Sequence, residues 1–137
     1  SNEREVRQNS INSNTINWKS HIDWLKSKII DNNYKILLFF ENDVFIGQVK
    51  FEIQNSDAII SISIMKQFRG MGYAPKLLGK SIELIVKSNR VQTIIAYIKT
   101  TNKVSLKSFK RVGFVLLGNV SINDENYFKY IFKIVSV

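Results

Sequence analysis

Apolar and polar positions alternate with two different periods along this chain, and the changes of period divide it into elements. Residues 34–40 and 44–53 read as strands joined by a tight turn at Glu41-Asn42-Asp43, which makes a hairpin. In the second of these, Gln48, Lys50 and Glu52 alternate with Val49, Phe51 and Ile53, so one strand face is polar and the other apolar. A further turn at 54–57 leads to a third strand at 58–65. After Gly70 and Gly72 the period moves from two toward 3.6: Leu77, Leu78, Ile82, Ile85 and Val86 form one helical stripe, with Pro75 tolerated in the first turn. Residues 91–98 are a strand again, and 102–112 a short helix with Ser105, Phe109 and Val112 on one side and Gly113 as its stop. Residues 114–122 and 127–135 flank Asn123-Asp124-Glu125-Asn126 as a last hairpin.

Upstream, residues 3–14 are polar and rich in Asn and Ser, and read as a helix end followed by a loop. Asn17 then suits a helix N-cap, because Trp18, Ile22, Leu25 and Ile29 fall at helical spacing before Asp31-Asn32-Asn33 stops the run. The order is helix, three strands, helix, strand, helix, two strands. That predicts an α/β (α+β) fold with a mostly antiparallel sheet flanked by helices, in one domain over residues 1–137.

Composition narrows the chemistry. No apolar run approaches the roughly 20 residues of a membrane-spanning helix. The first 17 residues are too polar for a secretory signal, so the expected location is the cytoplasm. With no cysteine and a single histidine, His21, the chain offers neither a thiolate nucleophile nor a Cys or His metal cluster, so no metal is expected. The net charge of +9 is spread along the chain with no block of five like charges, which argues against nucleic acid and a membrane surface. Such a diffuse field suits small anionic molecules, although it is equally a compositional habit of a Lys-, Asn- and Ile-rich sequence.

The strand ending in Gln67-x-x-Gly70-x-Gly72, followed at once by a helix, directs free backbone N–H groups and a helix dipole at one spot. Such a nest suits a pyrophosphate. Glycine is needed there either because a Cβ would block phosphate oxygens or because the turn demands positive φ. A dinucleotide fingerprint fails, since Pro75 stands where a third glycine belongs. A P-loop at Gly79-Lys80-Ser81 fails because the triplet lies inside a helix.

Gln67-x-x-Gly70-x-Gly72-Tyr73-Ala74 resembles the coenzyme A signature of the GNAT superfamily of N-acetyltransferases, and Asn102-x-x-Ser105-x-x-x-Phe109-x-x-x-Gly113-Phe114 resembles its second motif. The resemblance covers nearly the whole chain. It implies acetyl-CoA as co-substrate, with the backbone near Ile62 and Ile64 pairing with the pantetheine arm. The amides of Arg69, Gly70, Met71, Gly72, Tyr73 and Ala74 would hold the pyrophosphate, and Gln67 would line the same loop. Asn102 would contact the cofactor, cap its helix, or do both. Ser105 belongs to the same motif, and Phe109 stands where many such enzymes carry a tyrosine that protonates the leaving thiolate, so Phe109 would instead pack on the cofactor arm. GNAT domains usually begin with a strand, whereas this chain reads as starting inside the first helix. The sheet is therefore expected to lack that strand, as in a truncated chain or an excised C-terminal domain.

A narrower resemblance runs through residues 6–10, residues 12–16, His21-x-x-Trp24 and residues 47–52. These are similar to GNAT enzymes that acetylate the amino group of nucleotide-linked amino sugars in pseudaminic acid biosynthesis, and to the GNAT domain fused to that pathway's UDP-sugar hydrolase. It implies Arg7, Asn12, Asn14, His21 and Gln48 as acceptor-binding residues, with packing or helix capping the alternative for His21 and a solvated loop the alternative for Arg7 and the Asn-rich segment. On the polar face of its strand, Glu52 is a candidate general base, with a solvated strand face as the bland alternative, and Tyr97 or Ser108 is a candidate proton donor to the thiolate. The implied partner is a small-molecule amine, and a homodimer is one assembly open to the chain. A protein or peptide N-acetyltransferase and a non-catalytic acetyl-CoA-binding module are the rival readings.

Overall fold

The computed structural model describes residues 24–31, 33–88 and 90–134. Seven strands make up one sheet: β1 (Trp24–Asp31), β2 (Tyr34–Glu41), β3 (Val44–Gln54), β4 (Asp57–Ile64), β5 (Thr93–Lys99), β6 (Val115–Ile122) and β7 (Glu125–Lys133). Helix α1 (Tyr73–Lys87) joins β4 to β5, and α2 (Lys103–Arg111) joins β5 to β6. The spatial order is β1-β2-β3-β4-β5-β7-β6, and every neighbouring pair is antiparallel except β4 with β5. A parallel pair needs a crossover, and α1 supplies it.

Turn chemistry sets two of the hairpins. Asn42 (φ 51°) and Asp43 (φ 65°) turn β2 into β3, and Asn123 (φ 50°) and Asp124 (φ 65°) turn β6 into β7. Asn and Asp tolerate this left-handed conformation better than other side-chain-bearing residues, and two such residues match the twist of the flanking strands.

One expected element is overturned. Residues 24–31, read above as the second half of a helix, form strand β1, paired antiparallel with β2 from Trp24↔Phe40 to Asp31↔Tyr34. Leu25 and Ile29 are four apart, a spacing that keeps two residues on one face in a strand as well as in a helix. The expectation of a sheet missing its N-terminal strand fails with it, since the described residues by themselves supply seven strands.

Helices α1 and α2 lie on one face of the sheet. Leu77, Leu78, Ile82 and Ile85 of α1 are buried in one core with Val49, Phe51, Ile60 and Ile94. Val86, assigned above to the same stripe, is 40% exposed and belongs to the outer side of α1. Among the described residues no helix is long and apolar enough to cross a membrane, and no group of three or more His, Cys, Asp or Glu side chains could hold a metal ion.

The feature that creates a site is a fork. Strands β4 and β5 pair only at Asp57↔Thr93, Ala58↔Ile94 and Ile59↔Ile95, then separate, although β4 continues to Ile64 and β5 to Lys99. Beyond Ile59 the β5-facing edge of β4 is left without its ladder.

Candidate functional site

The open edge can be read from one bond. The Met65 amide donates to the Ile46 carbonyl at 2.8 Å, toward β3. Peptide groups alternate sides along a strand, so the N–H groups of Ile64 and Ile62 point the other way, into the fork. The Ile64 carbonyl there accepts a hydrogen bond from Arg69 Nε at 3.0 Å. An extended arm with its own amides could take the place that β5 vacates, as a strand partner.

At the open end of that edge, a 3-10 turn (Lys66–Phe68) leads into the glycine loop. Gly70 (φ 77°) and Gly72 (φ 83°) both lie in the left-handed region, and a Cβ built on either meets nothing within 4 Å. The turn therefore requires positive φ at both glycines, and the space beside each is open. Gly72 is the N-cap of α1, no side chain caps that end, and the first turn carries no acidic residue. Among the described residues, no turn bond uses the amides of Gly70, Met71, Gly72, Tyr73 or Ala74. Arg69 departs from the expected set, since its amide is spent within the turn on the Lys66 carbonyl at 3.3 Å. Exposed Lys66, Arg69 and Lys76 surround the loop, and Gln67 is exposed on it. Unpaired amides, a helix N-terminus and three cations make this end a candidate anion site.

On the sheet face away from the helices, Gln48 pairs with Ser63, Lys50 with Ser61 and Glu52 with Ile59. Ile59 in turn makes the last pair before the fork, with Ile95. Glu52 thus stands at the base of the fork on β3, and Tyr97, two residues beyond Ile95, is on the same face along β5. Gln54 Nε2 donates to Glu52 Oε2 at 3.0 Å, a bond that leaves Oε1 uninvolved. Gln48, Lys50, Glu52 and Tyr97 are all half-buried.

Two residues of the second motif have clear local roles. Asn102 Oδ1 accepts from the Ser105 amide at 3.1 Å, making Asn102 the N-cap of α2. Phe109 is 3% exposed and packs edge-on against Phe114 at 5.0 Å. Its ring belongs to the core on the side of Phe114, whereas the expected packing was on the cofactor arm. Ser108, the other proposed donor, is also buried. Arg7, Asn12, Asn14 and His21 lie outside the described residues.

One contact had no signal in the sequence. The Tyr73 hydroxyl donates to Glu41 Oε1, at the end of β2. This bond, burial and the carboxylate's charge together push the Tyr73 phenol up to about 12. Glu41 belongs to a turn triplet that reads only as a hairpin, so nothing pointed to a partner 32 residues away.

Comparison with known proteins agrees with this geometry. The sequence profile of the acetyltransferase (GNAT) domain matches residues 1–115. N-alpha-acetyltransferase 30 of Schizosaccharomyces pombe is 29% identical over 100 residues, which are 66% of this chain and 66% of that protein. Spermidine N-acetyltransferase SpeG of Vibrio cholerae, in complex with CoA and spermine, superposes with a TM-score of 0.70 at 19% identity, over 76% of this chain and 68% of that one. Aminoglycoside acetyltransferase AAC(6')-Ib, in complex with coenzyme A, superposes with a TM-score of 0.67 at 16% identity, over 74% and 66%. At these identities the two structures show a common fold.

Proposed function

The chain belongs to the acetyltransferase (GNAT) domain family, whose members transfer acetyl from acetyl-CoA to an amine, and we propose that its acceptor is the amino group of a nucleotide-linked amino sugar. The observation that carries the acetyl-transfer reading is the fork itself, an unpaired β4 edge running into an anion site at the N-terminus of α1. A linear thioester with a phosphorylated tail needs both features, one after the other.

In this reading the loop at residues 70–74 holds the pyrophosphate and the β4 edge holds the pantetheine arm. The thioester then lies beside Ile62, whose amide would polarise its carbonyl. The neutral amine attacks that carbon as the C–N bond forms. The C–S bond then breaks, and the thiolate leaves with the electron pair. Glu52, directly or through water, takes the amine proton. Tyr97, across the fork, would protonate the thiolate. Most of the acceleration would come from holding amine and thioester together, which needs no covalent enzyme intermediate.

Charge favours the acceptor class. Spermine, bound in the SpeG complex, is a polycation, whereas this chain carries a net +9, and like charge opposes association. A diphosphate-bearing sugar would be drawn by the same field that draws the cofactor. Lys50 and Lys129 stand on the face that carries Glu52 and Tyr97. The similarity of residues 47–52 to amino-sugar acetyltransferases points the same way.

Incubation with acetyl-CoA and a mixed panel of nucleotide-amino sugars, free amino sugars, polyamines and peptides, read by mass spectrometry, tests the proposal. An acetylated nucleotide-amino sugar as main product supports it. A main product among the polyamines or peptides overturns the acceptor, and CoA binding without turnover of any amine would make the chain a binding module.

A further inference from the structure

The glycine loop is held from below by one aromatic side chain. Tyr73 is the first residue of α1, so its amide faces the anion site, while its ring is only 8% exposed beneath the loop. Phe68, from the 3-10 turn that opens the loop, packs edge-on against that ring at 5.9 Å and 80°. Lys76, one helical turn on, places Nζ 5.9 Å from the ring centroid. The hydroxyl reaches Glu41 on the β2–β3 hairpin. Glu41 Oε2 is buried with no partner among the described residues, so the phenol is the hydrogen-bond donor that the structure shows for this carboxylate. Elsewhere the loop is lightly tied. Gly70 and Gly72 touch nothing with the positions a Cβ would take, and Met71 is 64% exposed.

We infer that Glu41 and Tyr73 are positioning residues for cofactor binding: their hydrogen bond latches the start of α1 to the β2–β3 hairpin and so fixes the amides that face the pyrophosphate. The inference rests on the acetyl-CoA reading of the loop. Neither side chain need touch the ligand. A loop with two glycines at positive φ has many conformations in reach, and an anion nest binds well only when its N–H groups already converge. Without the latch, binding would carry the cost of ordering that loop. The cost should fall on ligands that use the nest and spare those that use the β4 edge alone.

That difference supplies the test. Coenzyme A carries the pyrophosphate, and pantetheine has the same arm without it. Affinity for coenzyme A would be measured by calorimetry and for pantetheine by ligand-observed NMR, on the wild-type chain, Tyr73→Phe, Glu41→Ala and Glu41→Gln, with melting temperatures recorded alongside. The expected result is that Tyr73→Phe and Glu41→Ala each weaken coenzyme A binding by about tenfold, with pantetheine unchanged within about twofold. Glu41→Gln, which keeps an acceptor oxygen for the phenol, should retain most of the affinity, and Tyr73→Phe combined with Glu41→Ala should be no worse than either alone. Equal losses for both ligands would show a general loosening of the fold and overturn the inference, as would an unchanged coenzyme A affinity. If the wild-type chain itself did not prefer coenzyme A over pantetheine, the pyrophosphate reading of the loop would fail, a result distinct from failure of the latch.

Discussion

Gly47 and Ser63 approach so closely across β3 and β4 that a β-carbon on Gly47 would collide with the Ser63 carbonyl oxygen. The same carbon would come within 3.1 Å of the Ile64 Cα. These are backbone atoms of the strand end that leads into the fork, and they cannot rotate away as a side chain can. Gly47→Ala should therefore displace the end of β4 and cost about 1–3 kcal/mol in urea unfolding. Gly79→Ala provides the contrast. Gly79 lies inside α1 with nothing within 4 Å of the added carbon, so that change should stabilise by about 0.5–1 kcal/mol. Equal effects at the two positions would refute the close approach.

The glycine loop should respond to substitution in its ligand more than in its fold. Gly70→Val and Gly72→Val each force a branched side chain into the left-handed region, which costs roughly 1–2 kcal/mol, at positions where the added atoms meet open space. The fold should survive while coenzyme A binding is lost, because the new side chains stand where phosphate oxygens would approach. Circular dichroism and calorimetry separate the two effects, and an unchanged affinity would exclude the loop as the pyrophosphate site.

Tyr73 gives the chain an alkaline signature. Its phenol is raised from the ordinary 10.0 to about 12, so the folded state favours the protonated form over the unfolded chain. The resulting stabilisation is complete below pH 10 and is lost as pH rises from 10 toward 12, with a magnitude on the order of 2 kcal/mol. The wild-type chain should be more stable than Tyr73→Phe at pH 9, and the gap should narrow steadily above pH 10 and close only above about pH 12. A gap independent of pH would mean that the phenol is not held by Glu41 in solution.

Glu52 tests the chemistry at the base of the fork. Glu52→Gln keeps the shape of the side chain and removes its capacity to take a proton. A positioned base contributes roughly 10²–10⁴-fold, so a loss of at least a hundredfold in kcat with a near-constant KM for acetyl-CoA is expected. A loss below about fivefold would leave Glu52 as a residue of a solvated strand face.

How much of this was legible beforehand depended on whether the deciding interaction was local. The β2–β3 and β6–β7 hairpins could be read because Asn42-Asp43 and Asn123-Asp124 carry their own turn preference, and α1 because Leu77, Leu78, Ile82 and Ile85 repeat at helical spacing. The loop was legible through its two glycines. Strand β1 was not, since Leu25 and Ile29 share a face in either conformation and only pairing with β2 decides between them. The fork was equally hidden: that β5 leaves β4 after Ile95 depends on β5 pairing along its whole length with β7, more than 25 residues downstream. The Glu41–Tyr73 bond likewise joins distant segments.

Phe109 offers the last test, because two accounts of it diverge. The family resemblance places it where a tyrosine donates a proton, with a phenyl ring that would rest on the cofactor. The structure puts that ring in the core at 3% exposure, edge-on to Phe114, which itself packs on Phe132 at 5.5 Å. Truncation should then act on stability first: Phe109→Ala empties a packed aromatic site and should cost about 3–5 kcal/mol. Weaker cofactor binding would follow only as far as α2 shifts. Phe109→Tyr adds one oxygen to a filled site, and the overpacking should cost about 1–3 kcal/mol. The hydroxyl would be spent inside the core rather than at the thioester. Single-turnover rates at saturating substrates should change by less than about tenfold, below the ~10²–10⁴-fold that a positioned acid supplies. A tyrosine variant a hundredfold faster than the wild-type chain would show that position 109 faces the reaction after all.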